Sequence, residues 1–189
     1  MTPKEYQKLI AEKLRTIYPG IDVQEEWRAM RGEASLYCPR LDIAVGPFAY
    51  NDLVYSDKYN ELMNHSQDLI EIMLNYHKHN VKTLSRQNCD TSLDDLYHTN
   101  SNARCLFAIE VENRVSRKHL IGGAVNAAAL GRIGIVVAWT HEKLMAFVRL
   151  RRYLKFLGKV GKNTFNTSNL LILDRDQLSD SLEQVIHTH

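Results

Sequence analysis

Cysteine is scarce in this chain, with three residues in 189, and Cys38, Cys89 and Cys105 form neither an even set nor a Cys-x-x-Cys pair. Their irregular spacing suits a reducing compartment better than a disulfide framework. Cys38 and Cys105 fall in strand-like stretches and read as small buried hydrophobes. Long apolar runs are missing too: none approaches the roughly 20 residues needed to cross a bilayer. The start, Met1-Thr2-Pro3-Lys4-Glu5, passes directly into a charged helical pattern with no apolar signal core. A cytoplasmic protein is the expectation. Net charge is nearly absent, at +2, while 44% hydrophobic and 24% charged residues argue against disorder or a fibrous repeat. At this length one domain, residues 1–189, is expected.

The periodicities predict an ordered series of elements. Tyr6, Leu9, Ile10, Leu14 and Ile17 recur at helical spacing, giving a helix over 4–17 that Pro19-Gly20 stops. Residues 23–30 and 34–45 read as two strands of a hairpin around Arg31-Gly32-Glu33. On the second, Leu41, Ile43 and Val45 should share one face and Asp42 and Ala44 the other, before Gly46-Pro47 ends the strand. The stretch 51–103 reads as an insertion, with a helix over 58–76 and then a polar run to 102. From residue 104 strand and helix alternate: strand 104–112, helix 116–130, strand 133–139, helix 141–157, strand 169–173, helix 175–187. An α/β sandwich follows, a central mixed sheet flanked by helices in three layers. Ser116 suits the N-cap of the helix after residue 112 and Gly131 its C-terminal cap. The interior of that helix, with Gly122, Gly123, Ala124 and Ala127–Ala129, is small enough for close packing. Ile133–Ala138, apolar on both faces, should be the central buried strand.

Acids interrupt the strands. Asp42 ends Pro39-Arg40-Leu41-Asp42, and Glu110-Val111-Glu112 ends Leu106-Phe107-Ala108-Ile109-Glu110-Val111-Glu112. Strand alternation puts Glu110 and Glu112 on one face, so two carboxylates emerge side by side. Unpaired buried charge costs several kcal/mol or neutralises itself, and a hard divalent cation is a natural compensator. A plainer reading pairs the two acids with Arg40, Arg114 or Arg117 at a sheet end.

With this order of elements, residues 1–45 and 104–175 resemble the PD-(D/E)XK nuclease superfamily, the restriction endonuclease-like fold. Asp42 matches the acid that the family carries on its second core strand, and Glu110 the acid on the third. Glu112 stands where the family usually has Lys, a Glu-x-Glu variant that occurs in some active restriction enzymes. The resemblance implies a Mg2+-dependent deoxyribonuclease, with Mn2+ as a substitute and an endonuclease as the preferred subtype. It further implies metal held by Asp42, Glu110 and the Val111 carbonyl, Glu112 as general base or second-ion ligand, and Lys118 as a displaced positive charge. Double-strand cutting would favour a homodimer.

Charge distribution bears on the partner. Lys143, Arg149, Arg151, Arg152, Lys155, Lys159 and Lys162 face one acid, Glu142, between 141 and 163, whereas 51–103 is acidic. Arg149, Arg151, Arg152 and Lys155 are therefore candidate DNA-phosphate contacts. A solvated helix face is the alternative. Two other readings stay open: a nuclease fold that binds DNA without cutting it, and a small α/β interaction protein whose acidic stretch and basic helix pair with each other or with a protein partner. His77-Lys78-His79, Cys89 and His98 match no zinc spacing and read as polar loop residues. Glu5 and Glu12 could reach the site from the first helix, Glu25 or Glu26 needs a partner such as Arg40, and His119 reads as a helix-surface residue.

Overall fold

The computed structural model describes residues 1–30, 38–50, 53–113, 117–162 and 166–188, and at positions 117 and 118 the backbone alone. The expected hairpin turn at 31–33, strand residues 34–37 and the Ser116 cap lie outside the described residues. The elements are α1 (Pro3–Ile17), β1 (Val23–Arg28), β2 (Arg40–Val45), α2 (Ser56–His65), α3 (Gln67–Ser85), α4 (Leu93–His98), β3 (Cys105–Glu112), α5 (Arg117–Leu130), β4 (Gly131–Ala138), α6 (His141–Lys159), β5 (Leu170–Asp174) and α7 (Arg175–Thr188). They form an α/β fold around a five-stranded mixed open sheet in the order β1-β2-β3-β4-β5. The first two pairings are antiparallel and the last two parallel.

Each face of the sheet carries its own apolar cluster. On one side Ile43, Val45, Phe107, Ile109, Ile135 and Leu173 pack with Ile10 and Leu14 of α1, Met63 of α2, Met73 of α3 and Leu182 of α7. On the other, Ala44, Ala108, Val136 and Ile172 pack with Ala124 and Ala127 of α5 and Phe147 of α6. α1 starts from a reciprocal cap in which Thr2 Oγ1 accepts the Glu5 N–H and the Glu5 carboxylate accepts the Thr2 N–H. Ile133–Ala138 is buried throughout as expected, but its strand lies fourth in the sheet, and β3 takes the centre.

Three local expectations differ from what is found. Gly131 does not cap α5; it is the first residue of β4, which follows the helix with no loop. The helix-end carbonyls are satisfied from elsewhere: Asn100 Nδ2 donates to Ala128, Ala129 and Gly131, Asn169 Nδ2 to Ala128 and Gly131, and the Arg104 N–H to Leu130. The helix expected over 58–76 is divided at Ser66, whose buried hydroxyl accepts from Tyr18 and donates to the Leu62 carbonyl. Its second part, α3, runs on through the polar stretch to Ser85.

That extension closes the sheet. His77 Nδ1 accepts the Ile172 N–H at 3.0 Å, and Asn80 Nδ2 donates to the Ile172 carbonyl at 3.0 Å, so two side chains of α3 occupy the outer edge of β5. Burial, with Arg151 nearby, pushes His77 down to about 3, which keeps its ring neutral as an acceptor. His77 is thus a buried scaffold residue and not part of a polar loop.

The contact between α5 and β4 is tight. A Cβ at Gly134 would stand 2.6 Å from the Ala127 carbonyl carbon and 2.7 Å from the Ala128 nitrogen, whereas one at Gly122 would meet nothing within 4 Å. Gly134→Ala should therefore destabilise by about 2 kcal/mol or more by forcing helix and strand apart. Gly122→Ala should stabilise by about 1 kcal/mol through helix propensity. Urea unfolding of the two variants checks both signs.

Candidate functional site

The antiparallel register of β1 with β2 joins Glu25 to Ile43 and Trp27 to Leu41 but skips the pair between them, Glu26 and Asp42. Glu26 has φ of 55°, left-handed and costly for a residue with a Cβ. The consequence is a change of face. Ile43 and Val45 lie in the α1-side cluster, while Trp27 and Leu41 lie with α5 and α6. The expectation that Leu41, Ile43 and Val45 share a face is corrected accordingly, because the strands turn over at the unpaired row.

The β2–β3 ladder also stops there. Its last pair is Ile43 with Ile109, and continuing the register sets Asp42 opposite Glu110. Asp42 Oδ2 accepts the Val111 N–H at 2.7 Å, a donor that a continued ladder would have given to a β2 carbonyl. A strand residue turns its N–H and C=O to the same edge, so the Val111 carbonyl faces the Asp42 side as well. Glu112 faces the other way, its carbonyl accepting the Trp139 N–H at 3.2 Å. Glu26, Asp42 and Glu110 therefore occupy matching positions on three neighbouring strands at the mouth of a fork.

Glu110 and Glu112 line a cleft of about 390 Å³ between β3 and α5, together with His119, Gly122, Gly123 and Asn126 of α5. These four helix positions are spaced three, one and three apart, which places them on one face. A Cβ at Gly123 would stand 3.7 Å from Glu110 Cβ, so small residues here keep the carboxylate accessible.

Electrostatics in the fork are unfavourable for an empty set of acids. Burial, joined by the charges of Asp42, Glu112 and Glu26, pushes Glu110 up to about 9. Burial also raises Asp42 to about 6, against the pull of the Val111 N–H and with repulsion from Glu26 and Glu112. Arg40, a partner expected for one of the acids, makes its ion pair with Glu26, and Arg15 pairs with Glu25 at 3.5 Å. Arg114 and the side chains of Arg117 and Lys118 lie outside the described residues.

The donor set fits a hard cation: two carboxylates and a backbone carbonyl, all oxygen, with the cleft beside Glu110 and Val111 leaving room for waters. Among the described residues no group of three or more His, Cys, Asp or Glu is gathered as a ligand cage. Two carboxylates supplemented by water suit Mg2+, which retains much of its hydration, better than Zn2+, which wants three or four protein donors.

Other candidates lie elsewhere. Glu5 serves the α1 cap and Glu12 is exposed on α1, across the sheet from Glu110. His77 is held by Ile172 and Thr91, Cys89 is half-buried and His98 pairs with Asp94, so they do not converge on a metal. The basic half of α6 also stands apart. β4 and β5 are parallel, so α6 leaves the carboxylate end of the sheet at His141 and runs back. Lys155 and Lys159 end beside Asn166–Ser168, just ahead of β5. Arg151 and Lys155 both pair with Asp90, so part of the acidic stretch does engage the basic helix.

Glu26 is the residue that sequence reasoning left undecided. Only its place in the row, opposite Asp42, marks it as a neighbour of the site. Comparisons with family models, curated proteins and solved structures return no match for this chain.

The raised acids carry a pH signature. Both bind their proton more tightly folded than unfolded, so each withdraws stability as pH climbs from its ordinary value, 3.8 for Asp42 and 4.5 for Glu110, through about 6 and about 9 respectively. In EDTA, Glu110→Gln should flatten the alkaline side of this decline and raise the midpoint at pH 8 by several degrees. Thermal unfolding of wild type and variant across pH 5 to 9 measures it; parallel curves would contradict the assignment.

Proposed function

We propose that this protein is a divalent-metal-dependent nuclease of the PD-(D/E)XK type that hydrolyses DNA phosphodiester bonds as an endonuclease. The observation that carries the reading is the fork between β2 and β3, where Asp42, in register with Glu110 once the ladder is continued, accepts the Val111 N–H and both acids have raised proton affinities. Glu112, two residues on, lines the adjoining cleft. The Glu-x-Glu pattern and its placement between a strand and a small-residue helix agree with the resemblance found in the sequence.

Asp42, Glu110 and the Val111 carbonyl would hold Mg2+, or Mn2+ in its place. The ion would supply a Lewis acid for the phosphate oxygens and an acidified water. Glu112 takes the proton from the attacking water as its oxygen bonds to phosphorus. The P–O bond opposite breaks, and the departing oxygen is protonated from solvent. Asp42, held by the Val111 N–H, would orient the site. Gly122 and Gly123 leave the cleft open for a phosphate to reach Glu110. Lys118, at the start of α5, is assigned the charge that offsets the phosphate. A homodimer would set two such sites against the two strands of a duplex.

Supercoiled plasmid and labelled oligonucleotides, incubated with Mg2+, Mn2+ or EDTA, test this. Wild type should cut only with metal, and Asp42→Ala and Glu110→Gln should lose at least on the order of a hundredfold in rate. Salt-sensitive binding with no cutting on any substrate would replace the proposal with a non-cleaving DNA-binding module.

A further inference from the structure

The C-terminal half of α6 presents an outward stripe unrelated to the fork. Arg149, Arg152, Tyr153, Phe156 and Val160 follow one another at spacings of three, one, three and four, which is a single helix face. Tyr153 is 51% and Phe156 56% exposed, large rings left in water on an otherwise well-packed helix. Arg149, Arg152 and Lys159 make no ion pair among the described residues, in contrast to Arg151 and Lys155, which Asp90 engages. Beside the stripe runs a groove of about 380 Å³ between α6 and the end of α3, with Arg152, Phe156 and Lys159 on one wall and Ser85, Gln87 and Asn88 on the other.

We propose that this stripe and groove bind single-stranded nucleic acid, with Tyr153 and Phe156 as stacking platforms and Arg149, Arg152 and Lys159 as phosphate contacts. A track of cations selects a polyanion, and neighbouring exposed rings select one whose flat faces are unpaired; single strands meet both conditions. Duplex DNA satisfies only the charge, since its bases are already stacked. A second copy of this chain fits poorly, because a two-fold contact of the stripe with itself would gather Arg149, Arg152 and Lys159 of both copies in one interface.

The inference deepens the nucleic-acid reading and rests on it for the class of ligand, but it does not need the carboxylates. Counting along α6 at about 1.5 Å per residue sets Phe156 about 22 Å from His141, where the helix leaves the carboxylate end of the sheet. The stripe therefore holds a strand at a distance from the fork.

Fluorescence anisotropy in EDTA, with labelled oligo(dT) and a duplex of equal length, tests binding apart from cleavage. Single strand should bind more tightly than duplex. Tyr153→Ala and Phe156→Ala should each weaken it on the order of tenfold, with little effect on duplex binding. Arg152→Gln with Lys159→Gln should lower the slope of log affinity against log salt. All four side chains are exposed or at a groove wall, and unchanged thermal midpoints would confirm that the variants fold. Equal affinity for both ligands, or indifference to loss of the rings, overturns the proposal. So does a wild-type dimer that the ring variants convert to monomer, which would assign the stripe to self-association. Cutting that fails while this binding persists would refute the nuclease and leave the strand site standing.

Discussion

Burial of the Asp42 and Glu110 carboxylates, compounded by repulsion from each other and from Glu26, is the constraint on which the carboxylate end of the sheet depends. Along this row of three acids at matching register neither ladder is closed. Regular pairing is broken in three ways along it. β1 takes a left-handed residue at Glu26, β2 and β3 part after Ile43 and Ile109, and Asp42 turns into the gap to accept the Val111 N–H. Arg40 makes its ion pair with Glu26, at the outer strand, and its charge only partly offsets the burial of Asp42. Glu110 remains half-buried with a high proton affinity. A proton or a cation has to complete this arrangement, and that need links the fold to its proposed chemistry.

The remainder of the molecule holds this strained row in place. α5 packs on β3 and β4 at backbone contact, made possible by Gly134 and the alanines facing it. Asn100 and Asn169 bind the carbonyls at the end of α5, so the helix passes directly into β4 and fixes β3 against it. At the far edge His77 and Asn80 occupy β5. With both the middle and the far edge secured, the opening is confined to the β1-β2-β3 side. Stability is thus concentrated away from the site, as expected where function requires a locally unfavourable arrangement.

Much of this was legible in the sequence. Alternation and helical spacing located β3 to α7 closely, because those elements bury continuous apolar faces. The pairing of Glu110 with Glu112 on a strand end was likewise readable from period two. α3 was less so: His77 and Asn80 look solvent-facing by type, and their burial depends on hydrogen bonds to a strand more than ninety residues later. Glu26 was illegible for another reason. Glycine or asparagine would have advertised a left-handed residue, whereas a glutamate carries no such local signal. The distance between basic helix and carboxylates could have been deduced from chain direction, since a helix that follows a parallel strand must run back along it.

Calorimetric titration of the metal-free protein with Mn2+ at pH 7.5, in buffers of different ionisation enthalpy, tests the central claim without recourse to activity. With Glu110 raised to about 9, cation binding must expel a proton, so the account predicts saturable binding with about one proton released per ion. Asp42→Asn and Glu110→Gln should abolish it. Absence of binding, or binding that releases no proton and survives both substitutions, would contradict the account.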